Sequence, residues 1–122
     1  MSYDFFLGRP KDRANAIGCI CDGELIALGM PKDVSGKLES LLGPLTWSDE
    51  PIPDAEPMRW SGPYEGGDTW YEFILHGDPV IVIQVRTSHR TNTRGLIPRI
   101  CRALDLYAFD TQTNTLAGQP DS

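Results

Sequence analysis

The chain has 122 residues, 40% of them hydrophobic and 23% charged, with a formal net charge of −6. That length holds one domain with one sizeable core, and that composition excludes extended disorder except at the ends. The acidic balance argues against nucleic-acid binding, because a phosphate backbone would be repelled, and favours a basic protein partner.

The first apolar segment, Tyr3 to Leu7, reads as a strand ended by Gly8-Arg9-Pro10. Lys11 to Asn15 is polar and reads as a loop. In Ala16 to Gly29 two apolar arms flank Asp22-Gly23, which suits a type I′ turn, so a hairpin is predicted. Pro31 to Gly43 reads as a helix with Asp33 as N-cap. Its apolar stripe is Val34, Leu38, Leu41 and Leu42, and Gly43-Pro44 stops it. Leu45 to Asp68 is broken by prolines and glycines, with Met58-Arg59-Trp60 as a short strand at most; a connection this long is usually functional or mobile.

Thr69 to His76 and Val80 to Arg86 flank a Gly-Asp-Pro break and form the expected central hairpin. Tyr71, Phe73 and Leu75 share one face. Val80 to Ile83 lack alternation, so the second strand is expected to be covered on both faces at the middle of the sheet. A helix beginning between Thr93 and Ile97 carries the stripe Leu96, Ile97, Ile100, Cys101 and Leu104, with Arg94, Arg99 and Arg102 opposite. Leu106 to Phe109 is the final strand, followed by a turn. The whole is an α+β domain over residues 1–118, a mostly antiparallel sheet with two main helices packed on one side, and a frayed tail over residues 119–122.

Several residue groups could carry chemistry. Arg86, Ser88, His89, Arg90, Asn92 and Arg94 fall within nine residues, and no acid occurs between Asp78 and Asp105. Arg86, His89, Arg90 and Arg94 could form an anion site, since guanidinium forks bind carboxylate or phosphate at two points. Alternatively, these cations pair with the acidic middle segment. His76 and His89 are the only histidines, and no nucleophile-elbow, zinc-protease or phosphate-loop motif accompanies them. No catalytic residue and no cofactor is therefore expected. Cys19 and Cys21, on one face of a strand, could approach a metal, but no second ligand pair exists, and no metal is expected. An odd set of three cysteines reads as reduced, mostly buried thiols, which fits a cytoplasmic location. No apolar run could span a bilayer, and no secretory signal is visible, so no membrane partner is expected. Asp110 and Gln112 read as turn formers or as polar groups at a strand end.

The acidic middle holds Asp49, Glu50, Asp54, Glu56, Glu65 and Asp68 against one base, Arg59. Trp47, Trp60, Tyr64, Trp70 and Tyr71 lie in or beside it. Aromatic anchors with steering carboxylates suit a protein-binding surface made of Trp47, Trp60, Tyr64 and those six acids. The same indoles could instead close the core beneath a long loop.

The opening MSYDFF and the closing ICRALDLYAFDTQTNTL resemble small bacterial immunity-type proteins, which are found beside polymorphic or type VI-secreted toxins. The resemblance covers about the first six residues and the last thirty. It implies a cytoplasmic protein without enzymatic activity that binds and blocks one cognate toxin. A ligand-binding domain or small enzyme using the arginine cluster is the alternative, and an adaptor or chaperone for a secreted protein would share the acidic surface.

Overall fold

A strand of eight residues at the N-terminus, β1 (Tyr3–Pro10), lies between two partners and ties the halves of the chain together. The computed structural model describes residues 3–43, 47–48, 58–63, 70–77, 79–87 and 96–120, with backbone alone for Ser48, Met58–Pro63 and Trp70. After β1 come α1 (Ala16–Asp22), β2 (Leu25–Ile26), α2 (Pro31–Leu42), β3 (Trp47–Ser48), β4 (Met58–Pro63) and β5 (Trp70–His76). Then follow β6 (Val82–Thr87), α3 (Leu96–Leu104), β7 (Tyr107–Asp110) and β8 (Thr115–Gly118). The sheet runs β3-β4-β5-β6-β1-β7-β8, with β2 paired to the end of β1. Every one of these pairings is antiparallel. This is the expected α+β architecture, and β6 is at the centre as its apolar run suggests.

One face of the sheet carries the main core. Alternation places Phe5 and Leu7, then Tyr71, Phe73 and Leu75, then Ile83 and Val85 on this face, all buried. Helices α2 and α3 cover it. Val34 and Leu38 of α2 are buried, as are Leu96, Ile97, Ile100 and Cys101 of α3. Each fully buried aliphatic side chain there contributes about 1.5–3 kcal/mol. The outward face of α3 exposes Arg99 and Arg102, and Arg99 donates to the Leu41 carbonyl near the end of α2.

The segment Ala16–Asp22 is a helix, not the first arm of a hairpin. Asp12 caps the preceding 3-10 turn by accepting from the Ala14 amide, and Gly23 ends α1 in the left-handed region at φ 75°. The amides of Gly23 and Glu24 both bond the Cys19 carbonyl, a helix C-terminal motif. Asp22-Gly23 has positive φ at the glycine in either motif, so the dipeptide alone does not distinguish them. The helix also separates the two thiols: Cys19 is buried and Cys21 exposed.

Other expectations shift. Strand β1 continues through Gly8 to Pro10, because Pro10 can end a strand where it pairs with Leu25 of β2. Helix α2 begins at Pro31 with Met30 as N-cap, leaving Asp33 in the first turn, where its charge suits the helix dipole. The two-residue β3 and the short β8 extend the sheet at either end beyond the expected strands. Gly77, at φ 96°, turns β5 toward β6; an added Cβ would lie 2.7 Å from the Pro79 carbonyl oxygen. Of the tail expected from Gln119, residues 121 and 122 lie outside the described residues.

Candidate functional site

Among the described residues, the second face of the sheet is covered only in part. Strand register stacks its outward residues in rows: Glu72, Arg86 and Asp4 in one, Ile74, Gln84, Phe6 and Phe109 in the next, then His76, Val82, Gly8 and Tyr107. Helix α1 packs over β1 and β7 at the last rows, and Leu25 lies over Gly8.

The first row is a polar ladder. Arg86 Nε donates to Asp4 Oδ1 at 3.1 Å and Nη1 to Glu72 Oε1 at 3.3 Å. Glu72 is 2% exposed, so its charge requires a partner of this kind. Gln84 continues the network: its Nε2 donates to Asp4 Oδ1 at 3.2 Å, and its Oε1 faces His76 Nε2 at 2.8 Å. The ionised Asp4 only accepts, which fixes the Gln84 amide. Its Oε1 then accepts from His76 Nε2.

Beside the ladder the rows turn apolar and open. Phe6, Ile20, Leu25, Ile81, Val82 and Phe109 line a basin of about 660 Å³, within the ~300–1,000 Å³ of ordinary ligand sites. His76 and the Cys21 thiol are its polar points. Ile81 is 41% exposed and Val82 half-buried, so this end of the central hairpin is not covered on both faces as its apolar run implies. The reason is topological. Val80 is drawn to a bridge with Gly29 and is buried, whereas Ile81 and Val82 line the basin.

Behind α1 the charges are paired. Arg9 donates to the Leu104 and Asp105 carbonyls, capping α3, and Arg13 bonds the Asp105 carboxylate. The Arg13 hydrogen bond holds the Asp105 carboxyl below the usual carboxylate range, and Asp105 in turn keeps Arg13 protonated to higher pH. Burial pushes the Cys101 thiol up to about 12. Asp110 accepts from the Gln112 amide at 2.8 Å, the turn-forming role expected of it. Among the described residues no group of three His, Cys, Asp or Glu side chains could hold a metal ion.

Of the acidic-aromatic set, Trp47 is half-buried, packs against the core and donates its indole N–H to Glu39 Oε1 at 3.1 Å. Trp60 is in β4 with its backbone opposite Trp47 and Phe73. Tyr71 belongs to the core. Asp49, Glu50, Asp54, Glu56, Tyr64, Glu65 and Asp68 lie outside the described residues. Chain connectivity nevertheless divides them: residues 49–57 join β3 to β4, and residues 64–69 join β4 to β5, at opposite ends of a six-residue strand. Those ends are roughly 17 Å apart. Of the arginine cluster, Arg86 is held between Asp4 and Glu72, whereas His89, Arg90 and Arg94 lie outside the described residues.

The basin was not legible from motifs. Ile20 and Cys21 belong to a segment expected to be a strand, and Phe6 and Phe109 meet across strands distant in sequence. The alternation of Glu72, Ile74 and His76, and of Val82, Gln84 and Arg86, is the signal that would have marked a second, half-polar face. Compared with family models, curated proteins and solved structures, the chain matches none.

Proposed function

We propose that this chain is an immunity-type protein, which binds a cognate bacterial toxin in the cytoplasm and neutralises it without enzymatic activity of its own. The observation that supports this reading most is the incompletely covered second face: an apolar basin on a chain of net charge −6. Apolar area supplies binding energy, and the negative field speeds encounter with a basic protein. Residues 49–57 hold Asp49, Glu50, Asp54 and Glu56 and no base, and rejoin the sheet at Met58, which pairs with Leu75 beside the basin residue His76. The other residues expected in the contact surface are set apart from the basin: Trp47 packs against the core on the α2 side, Trp60 is paired with it in backbone register, and Tyr64, Glu65 and Asp68 follow the far end of β4. The resemblance of the two ends of the chain to immunity-type proteins points the same way.

The test is co-expression with a toxin-like product of the neighbouring reading frame. The expected result is restored growth, with the toxin's activity abolished in the purified complex. A complex in which that activity persists would make the chain an adaptor or chaperone, and continued toxicity despite expression of both proteins would remove the reading.

A further inference from the structure

We infer that the groove between α2, the end of α3 and β1 binds a phosphate group carried on a small organic body. The inference goes beyond the neutralising role and does not depend on it.

The groove has a volume of about 530 Å³, within the ordinary range of ligand sites. Arg9 of β1 and Lys37 and Ser40 of α2 bring hydrogen-bond donors to it, and Leu41, Ala103 and Leu104 give it apolar surface. Arg9 is held in place by the end of α3: its Nη2 donates to the Leu104 carbonyl at 2.7 Å and its Nε to the Asp105 carbonyl at 3.3 Å. Those bonds satisfy carbonyls at the helix end and leave Nη1 without a partner among the described residues. Lys37 and Ser40 are three apart on α2, so they share a face, and neither side chain has a partner among the described residues.

An exposed lysine is ordinary by itself. Lys37 is set apart by its neighbour: with Arg9 it also lines a narrow crevice that reaches the buried Val34, Ile83 and Leu106. Apolar ground beneath the two cations limits the water that screens them. Asp105, the one acid lining the groove, is shared by Arg13 and Arg9, so with Lys37 three cations stand against one carboxylate. Asp33, one turn before Lys37, makes no ion pair with it, and Glu39 accepts from the Trp47 indole on another side of the helix. The net charge of −6 opposes an anion at long range, but screening over about 8 Å at physiological salt leaves the groove's own charges to decide binding. A phosphate monoester suits both parts of the groove. Its three free oxygens match the donors of Arg9, Lys37 and Ser40, where a carboxylate has only two, and its organic part lies against the apolar surface.

The probe is phenyl phosphate, followed through the backbone amide signals of the isotope-labelled chain. Inorganic phosphate and benzyl alcohol are the comparisons, all at one ionic strength. The expected result is that phenyl phosphate shifts the amides of Lys37, Ser40 and Leu104 and that inorganic phosphate does so several-fold more weakly. Benzyl alcohol leaves them in place. Lys37→Gln, an exposed change to a residue that suits a helix, weakens phenyl phosphate binding by about tenfold. Ser40→Ala weakens it less, and Lys32→Gln, on the same helix but outside the groove, leaves it unchanged. The inference is overturned by an absence of binding at these residues, by binding that ignores Lys37→Gln, or by benzyl alcohol binding as well as the phosphate ester.

Discussion

Arg86 shows how one side chain can be read two ways. In sequence it opens a run of cations suited to an anion; in the fold it is the cation between Asp4 and Glu72. Arg86→Leu removes the charge that lies between two carboxylates, one of them almost fully buried, and is expected to lower stability by about 2–3 kcal/mol. Arg86→Lys keeps the charge without the two-point fork and should lose less. Urea unfolding measures both, and an Arg86→Leu variant as stable as the wild type would return this residue to the anion-site reading. Asp105 gives a pH signature. It has φ 58°, a conformation that Asn tolerates and Ala does not, so Asp105→Ala should be about 1 kcal/mol less stable than Asp105→Asn. Its folded pKa is depressed, first of all by the Arg13 hydrogen bond, so its stabilisation is present above the unfolded value of about 3.9 and is lost as pH falls through the folded value. The stability gap between wild type and Asp105→Asn should be open at pH 6 and close in strong acid; a gap that widens in acid would contradict the assignment.

Among the elements, the least expected contact is that of β8 with α3. A Cβ added at Gly118 would lie 3.0 Å from Cys101 Sγ and 3.4 Å from an Ile97 methyl. Gly118→Ala is therefore expected to cost about 1 kcal/mol or more through overpacking, and Cys101→Ala to recover part of that loss in the double variant. Additive thermal shifts would show that the two sites do not touch. The same elements show what was readable in advance. The stripes of α2 and α3 and the alternation of β5 are long enough for one period to win, and their buried faces are the expected ones. The seven residues of α1 fit either period: Ile17, Cys19 and Cys21 alternate as a strand would, yet burial falls on Ala16 and Cys19, three apart. Its identity is settled by contacts outside it, such as the Asp12 cap and the Cys19 thiol against the Asp12 carbonyl. Strands β3 and β8 are two and four residues long, too short for alternation to register. The basin depends on that misread helix and on cross-strand pairing, neither of which is local information.

For the whole molecule, a sheet with one face covered by two helices carries an apolar basin on its other face. In the proposed role, the net charge of −6 favours encounter with a basic partner. In that role, reversing Asp49, Glu50 and Asp54, which precede β4 in the chain, to lysine should slow association with a basic toxin, and urea unfolding of the variant checks that its fold is kept. The most direct test of a charge-steered docking protein is the association rate constant of the purified chain with the neighbouring toxin-like protein, measured as salt is raised from about 50 mM to about 500 mM. Screening shortens the reach of the field from roughly 14 Å to about 4 Å over that range, and the rate is expected to fall by about tenfold or more. Tight binding whose rate ignores salt would contradict the account.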